Sequence, residues 1–153
     1  MYYAAVVILM FAFPLLSIRI EAVHGAAPLS LALVGKWFAF WSVGVRLLLA
    51  GLRQVFQPMY TAREILGLEG SESLILVREL GFANLAIGSV GVLSLLVPSW
   101  RLAAAVAGGV FYGLAGINHA RQPHRNRLEN VAMVSDVFVA VVLLSVCVGG
   151  RGT

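Results

Sequence analysis

The feature that most constrains this chain is its succession of long apolar runs. A helix that crosses a bilayer needs about 20 mostly apolar residues. Five segments reach that length: Tyr2 to about Val23, Leu29 to about Phe56, about Ser73 to Val97, Trp100 to about Ala120, and about Arg127 to Val148. Gly25 with Pro28, then Pro58, Pro98 and the Gly149-Gly150 pair, break or close them. One soluble core of 153 residues has no room for so much apolar surface, whereas lipid is itself apolar. Only 12% of the residues are charged, against about 25% in a soluble domain. The expected fold is all-α: a polytopic transmembrane bundle of about five spans forming a single domain, residues 1–153, plus a short interfacial helix. The first run has no basic segment before it and no small-residue cleavage site after it, so it reads as a retained helix and not a signal peptide.

The interfacial helix is expected between the second and third runs. Thr61-Ala62-Arg63-Glu64 matches a capping box, with Thr61 as N-cap and Glu64 at the third helical position. Gly67 and Gly70 should end it, and Ser71 or Ser73 should cap the third span.

The net charge is +4, from 11 Lys+Arg against 7 Asp+Glu. No basic cluster on a soluble face suggests nucleic acid; the expected partner is the lipid bilayer. Arg53, Arg63, Arg78, Arg121, Arg125 and Arg127 fall on one side of a five-span chain, and Arg19, Lys36, Arg101 and Arg151 on the other. The positive-inside rule then places the N-terminus in the cytoplasm, the C-terminus outside, and the protein in the cell inner membrane. Trp37 and Trp100 fall at the outer interface.

The polar residues inside the spans are the candidates for function, because ionisable groups in a membrane are costly and usually paired. Arg46 lies about 15 Å from the inner end of its helix and Asp136 about 13 Å from the same side, so they form a candidate buried ion pair. Glu79, about 9 Å deep, is placed to answer Arg53 or to share Arg46. Gln54, Asn84, Tyr112, Asn118, His119, Glu129, Asn130 and Ser135 fill the same half. Glu129, Ala132, Met133 and Asp136 follow helical spacing and should face the bundle. In the outer half, Lys36 and Glu21 are expected to snorkel to the surface.

Two readings follow: ion pairs that only fix helix register, or a pocket open to the cytoplasm that handles a small solute, a lipid head group or a proton. Ala105, Gly109 and Gly113 recur every four residues, as do-close helix contacts in lipid require, either inside the bundle or at a self-association face. Gly81, Ala83, Gly88 and Gly91 add a second small-residue face. A homo-oligomer or a larger membrane complex is therefore expected, with an accessory or scaffold subunit as an alternative function. A membrane enzyme for a lipid-soluble substrate is a further alternative, with Glu79, Asp136 or His119 as acid or base, though no motif names one. His119 and His124 flank Pro123 in a loop and should be solvated, so no metal site is expected. The lone Cys147 cannot build a disulfide framework within one chain. No phosphate loop, dinucleotide glycine pattern or Ser-His-Asp set is present, and the cofactor stays unknown.

Several runs together carry a resemblance. They are Lys36-Trp37-Phe38-Ala39-Phe40-Trp41 continuing to Gly44-Val45-Arg46, Ala50-Gly51 to Gln54, Pro58, Thr61-Ala62, Arg78-Glu79-Leu80-Gly81-Phe82-Ala83-Asn84, Gly113-Leu114-Ala115-Gly116, and Glu129 to Asp136. The set resembles a family of short prokaryotic membrane proteins known only as a domain of unknown function. The resemblance covers most of the chain; it implies a compact helical membrane fold and no activity. A more distant similarity is to the DoxX-like small membrane proteins. The run 125–130 is similar to a segment of the membrane glutathione-transferase family, but there more helices follow and here only one does.

Overall fold

The computed structural model describes residues 2–25, 28–123, 125 and 127–149; His124, Gly150 and Arg151 lie outside the described residues. Five helices are long and apolar enough to cross a membrane: α1 (Tyr3–His24), α2 (Leu31–Phe56), α3 (Glu72–Leu96), α4 (Arg101–Arg121) and α5 (Arg127–Gly149). No strand occurs among the described residues. Large apolar side chains such as Leu15, Leu76, Leu96, Leu114 and Val141 face outward. In water such an exterior is an aggregation liability; hydrocarbon solvates it.

Helix α2 lies at the centre and touches each of the other four. Its N-terminal Gly35 abuts Val146 of α5, so these two run antiparallel. Gly44 and Gly51 of α2 meet Gly91 and Gly81 of α3, also antiparallel, and Gly88 meets Leu48. A Cβ on Gly91 would stand 2.4 Å from the Gly44 nitrogen, so the two backbones touch directly. Lipid supplies no hydrophobic drive between helices, and such close backbone packing replaces it. Ala83, grouped with these glycines in the sequence, instead faces outward. On α4, Ala105 is buried, Gly109 faces Leu144 and Gly113 faces Ala140 of α5. This small-residue stripe thus packs inside the bundle, the first of the two arrangements its spacing allowed. Tyr112, Phe38, Met10, Leu47, Val139 and Leu143 fill the centre.

Two spans carry π-helical stretches, Ile8–Ala12 in α1 and Ala39–Val45 in α2. Pro14 explains the first. It has no N–H to give and its ring would crowd the carbonyl four residues back, and the wider turn makes room.

The connection between α2 and α3 corrects the capping box. A helical turn opens at Pro58 (Pro58–Tyr60) and widens over Thr61–Ile65. Thr61 is helical (φ −67°, ψ −43°) and buried, so it is no N-cap. Proline at the first position supplies the start instead, since its missing N–H is unpaired there anyway. Gly67 (φ +65°) ends the turn in the left-handed region. Neither serine caps α3 by its side chain; Ser73 Oγ donates to the Gly70 carbonyl at 2.5 Å.

Candidate functional site

The π-helical stretch of α2 sets up the site. At its end the Arg46 N–H bonds the carbonyls of Trp41 and Val43, bypassing that of Ser42. The Ser42 carbonyl accepts instead from the Tyr112 hydroxyl of α4. Arg46 Nη1 donates to the same Tyr112 oxygen at 3.2 Å, and the guanidinium carbon lies 5.3 Å from the tyrosine ring centre. From α5, Asp136 Oδ1 stands 3.8 Å from Arg46 Nη2. That is an ion pair without a hydrogen bond, and the buried Oδ1 accepts none. Three helices thus converge on one charge pair, with Tyr112 against Arg46 and 0% exposed. Ser135, beside Asp136, is buried and turned to its own helix, where it donates to the Ala132 carbonyl.

A second polar group lies on the α2–α3 face. Asn84 Nδ2 donates to Gln54 Oε1 at 2.7 Å, both side chains buried. Arg53 stacks on the Tyr60 ring, 3.6 Å from its centre. Glu79 joins neither group. It is exposed and has no ion-pair partner among the described residues. Val77, Gly81, Asn84 and Gly88 form the inward face of α3, and Glu79 lies on the opposite side. Gly81 packs against Gln54 and Val55, so Glu79 is level with the end of α2 and shallower than its count along the helix implied. It neither answers Arg53 nor shares Arg46.

Asn118, His119, Gln122 and Glu129 line a cavity of about 150 Å³ where α4 ends and α5 begins. Ile65 and Leu66 of the connecting turn border it, and Ala132, one helical turn from Asp136, lines it too. His119 Nδ1 and Gln122 Oε1 are buried there without hydrogen-bond partners. Asn130 is exposed and outside the cavity, accepting from Arg125 Nε at 3.0 Å. Arg125 also donates to the carbonyls of His119, Ala120 and Gln122, satisfying the last turn of α4. Among the described residues no group of three or more His, Cys, Asp or Glu could hold a metal.

At the other end, Glu21 and Lys36 do not snorkel apart. Lys36 Nζ lies 2.6 Å from Glu21 Oε2, and Trp37 Nε1 donates to the same oxygen at 2.8 Å. These contacts tie α1 to α2.

Sequence reasoning did not find Ser42, whose role rests on a carbonyl that the helical register frees. It noted Tyr112 only as one polar residue among several. The chain belongs to a family of unknown function (DUF6790), whose model matches residues 1–150. That family assigns no activity and says nothing of a likeness to DoxX-like proteins. No match was found among curated proteins or among solved structures.

Proposed function

We propose that this chain is a small multi-pass membrane protein of the cell inner membrane that passes protons between the cytoplasm and the opposite side by way of its buried Arg46–Asp136 site. One observation carries the reading: the Asp136 Oδ1 is buried, accepts no hydrogen bond and stands 3.8 Å from Arg46. Such an oxygen has a free lone pair in a low-dielectric setting, where an unmet polar atom is expensive. Tyr112, bonded to Arg46, is 0% exposed and Asp136 4%, and a proton needs no cavity of its own to reach such a group. The cavity at His119 and Glu129 gives the site a polar approach from the end where the positive-inside rule puts the cytoplasm. It has the volume of about five waters, taking about 30 Å³ for each.

The test is proton flux. Liposomes holding the protein and a trapped pH dye are given an acid jump. The wild-type protein should dissipate the gradient faster than empty liposomes, and Asp136→Asn should fall to the empty rate while keeping its helical spectrum. A wild-type rate equal to that of empty liposomes sinks the proposal.

A second reading, that of an oligomer or an accessory subunit, has its own observation. Glu79, Ala83, Ala86 and Ser89 share the outward side of α3. Small residues beside a charge suit a neighbouring helix better than lipid tails. Crosslinking through a cysteine at Ala86 separates the cases: self-crosslinks support a homo-oligomer, and capture of another chain supports an accessory role.

A further inference from the structure

We infer that Tyr112 is a positioning residue for Asp136: by taking one arm of the Arg46 guanidinium it holds the buried ion pair open, and so sets how readily the carboxylate takes up a proton. Its use in proton passage rests on the reading above; the geometry behind it does not. A guanidinium and a carboxylate left to themselves close to hydrogen bonds of about 2.7–2.9 Å. Here Arg46 Nη2 stops 3.8 Å from Asp136 Oδ1, while Nη1 donates to the Tyr112 oxygen at 3.2 Å. The tyrosine oxygen accepts there because its own proton is committed to the Ser42 carbonyl. That carbonyl is on offer because the π-helical register of Ala39–Val45 carries the Arg46 N–H past it.

The register is braced from α1. Ser42 Oγ donates to the Leu9 carbonyl at 3.4 Å. Leu9 lacks its helical donors: the Phe13 N–H, four residues on, bonds Ile8, and Pro14, five residues on, has no N–H. A proline in α1 thus fixes a serine in α2, the serine turns a tyrosine in α4, and the tyrosine keeps an arginine from closing on the aspartate of α5. Without the Tyr112 hydroxyl, Arg46 Nη1 loses an acceptor in a largely buried place, which is costly. Asp136 is then the acceptor at hand, and its Oδ1 has a lone pair to give. A closer, hydrogen-bonded cation favours the charged carboxylate. The other ionisable side chains in this half of the helices around α5 are unchanged by that loss. They are His119 on α4, Arg53 on α2, turned to Tyr60, Tyr2 and Tyr3 on α1, and Glu129 on α5 itself.

Asp136 is the only aspartate in the chain, so an isotope label on the aspartate carboxyl carbon reports this one group. The full-length protein, labelled there and on its arginine side-chain nitrogens, is reconstituted in lipid bilayers and followed by solid-state NMR across pH. In the wild-type protein the labelled carbon should show no arginine nitrogen at hydrogen-bond contact. In Tyr112→Phe that contact should appear, and the pH at which the carbon titrates should fall by roughly one unit. Phe111→Leu alters the ring set edge-on against Tyr112 and spares the hydroxyl, so it should titrate as wild type. A merely structural role for Tyr112 would move both variants alike. A hydrogen-bonded Arg46–Asp136 contact in the wild-type protein overturns the inference whether or not the variant folds. A Tyr112→Phe variant that titrates as wild type overturns it too. The flux assay decides the other question: liposomes without flux sink the relay, and the titration still decides the role of Tyr112.

Discussion

Arg46 is held from two sides by groups of different kinds. Tyr112 offers it a hydroxyl oxygen and a ring, and Asp136 offers a charge at 3.8 Å. Removing one partner of a buried pair leaves the other charge desolvated and alone, at a cost of about 3–5 kcal/mol. Replacing both with apolar side chains removes the charge as well as its partner. Asp136→Asn and Arg46→Met should therefore each lower stability by that order, while the double variant Arg46→Met with Asp136→Leu recovers most of the loss. Unfolding in mixed detergent micelles measures it. A double variant as unstable as the sum of the singles would mean that the pair is not desolvated in the native bundle. At this scale the sequence was partly legible. Matching depths on two helices sufficed to bring Arg46 and Asp136 together, because rise per residue is nearly constant. The same count misplaced Glu79, because depth says nothing of which way a side chain points. Its direction follows from Gly81, Asn84 and Gly88, whose inward face becomes plain only once α2 lies against it.

Among the helices, glycines do two different jobs that sequence alone does not separate. Gly91 lets the α3 backbone touch α2, and a Cβ there would fall 2.4 Å from the Gly44 nitrogen, a backbone atom with no freedom to move aside. Gly113 has room for a side-chain carbon: a Cβ would make one ordinary contact, with the Ala140 Cβ at 3.7 Å. Gly91→Ala should therefore cost about 1–3 kcal/mol or more by overpacking. Gly113→Ala should be neutral or should gain up to about 1 kcal/mol, since alanine suits a helix interior better than glycine. Thermal unfolding of the two variants side by side checks this, and equal losses would mean that α2 and α3 are not in backbone contact. The positions of the five spans were legible because length and apolar content are set by the bilayer alone. The π-helical stretches were not. Pro14 marks the first locally, but the second exists in the context of Gly44 packed on α3 and of the Ser42 carbonyl turned to Tyr112, contacts made between helices. The connecting turn misled for a related reason. Thr61 and Glu64 have the spacing of a cap, yet Pro58 starts the helix earlier and burial claims Thr61.

For the molecule as a whole, the two ends are built differently, and this asymmetry gives the proposed function a direction. One end carries the cavity lined by Asn118, His119, Gln122, Glu129 and Ala132. The other is laced by Glu21, Lys36 and Trp37, which bind α1 to α2. If protons enter from the cytoplasm, the cavity end must face it, as the arginines near that end predict. Two exposed loop positions report on this: Glu69, between α2 and α3, and Ser99, between α3 and α4. With Cys147 replaced by alanine, Glu69→Cys should resist a membrane-impermeant maleimide in intact cells and react once the cells are permeabilised. Ser99→Cys should react in intact cells. The reverse pattern would turn the cavity outward, and the proton source of the proposed relay would then be the external medium, with the buried pair reached from that side.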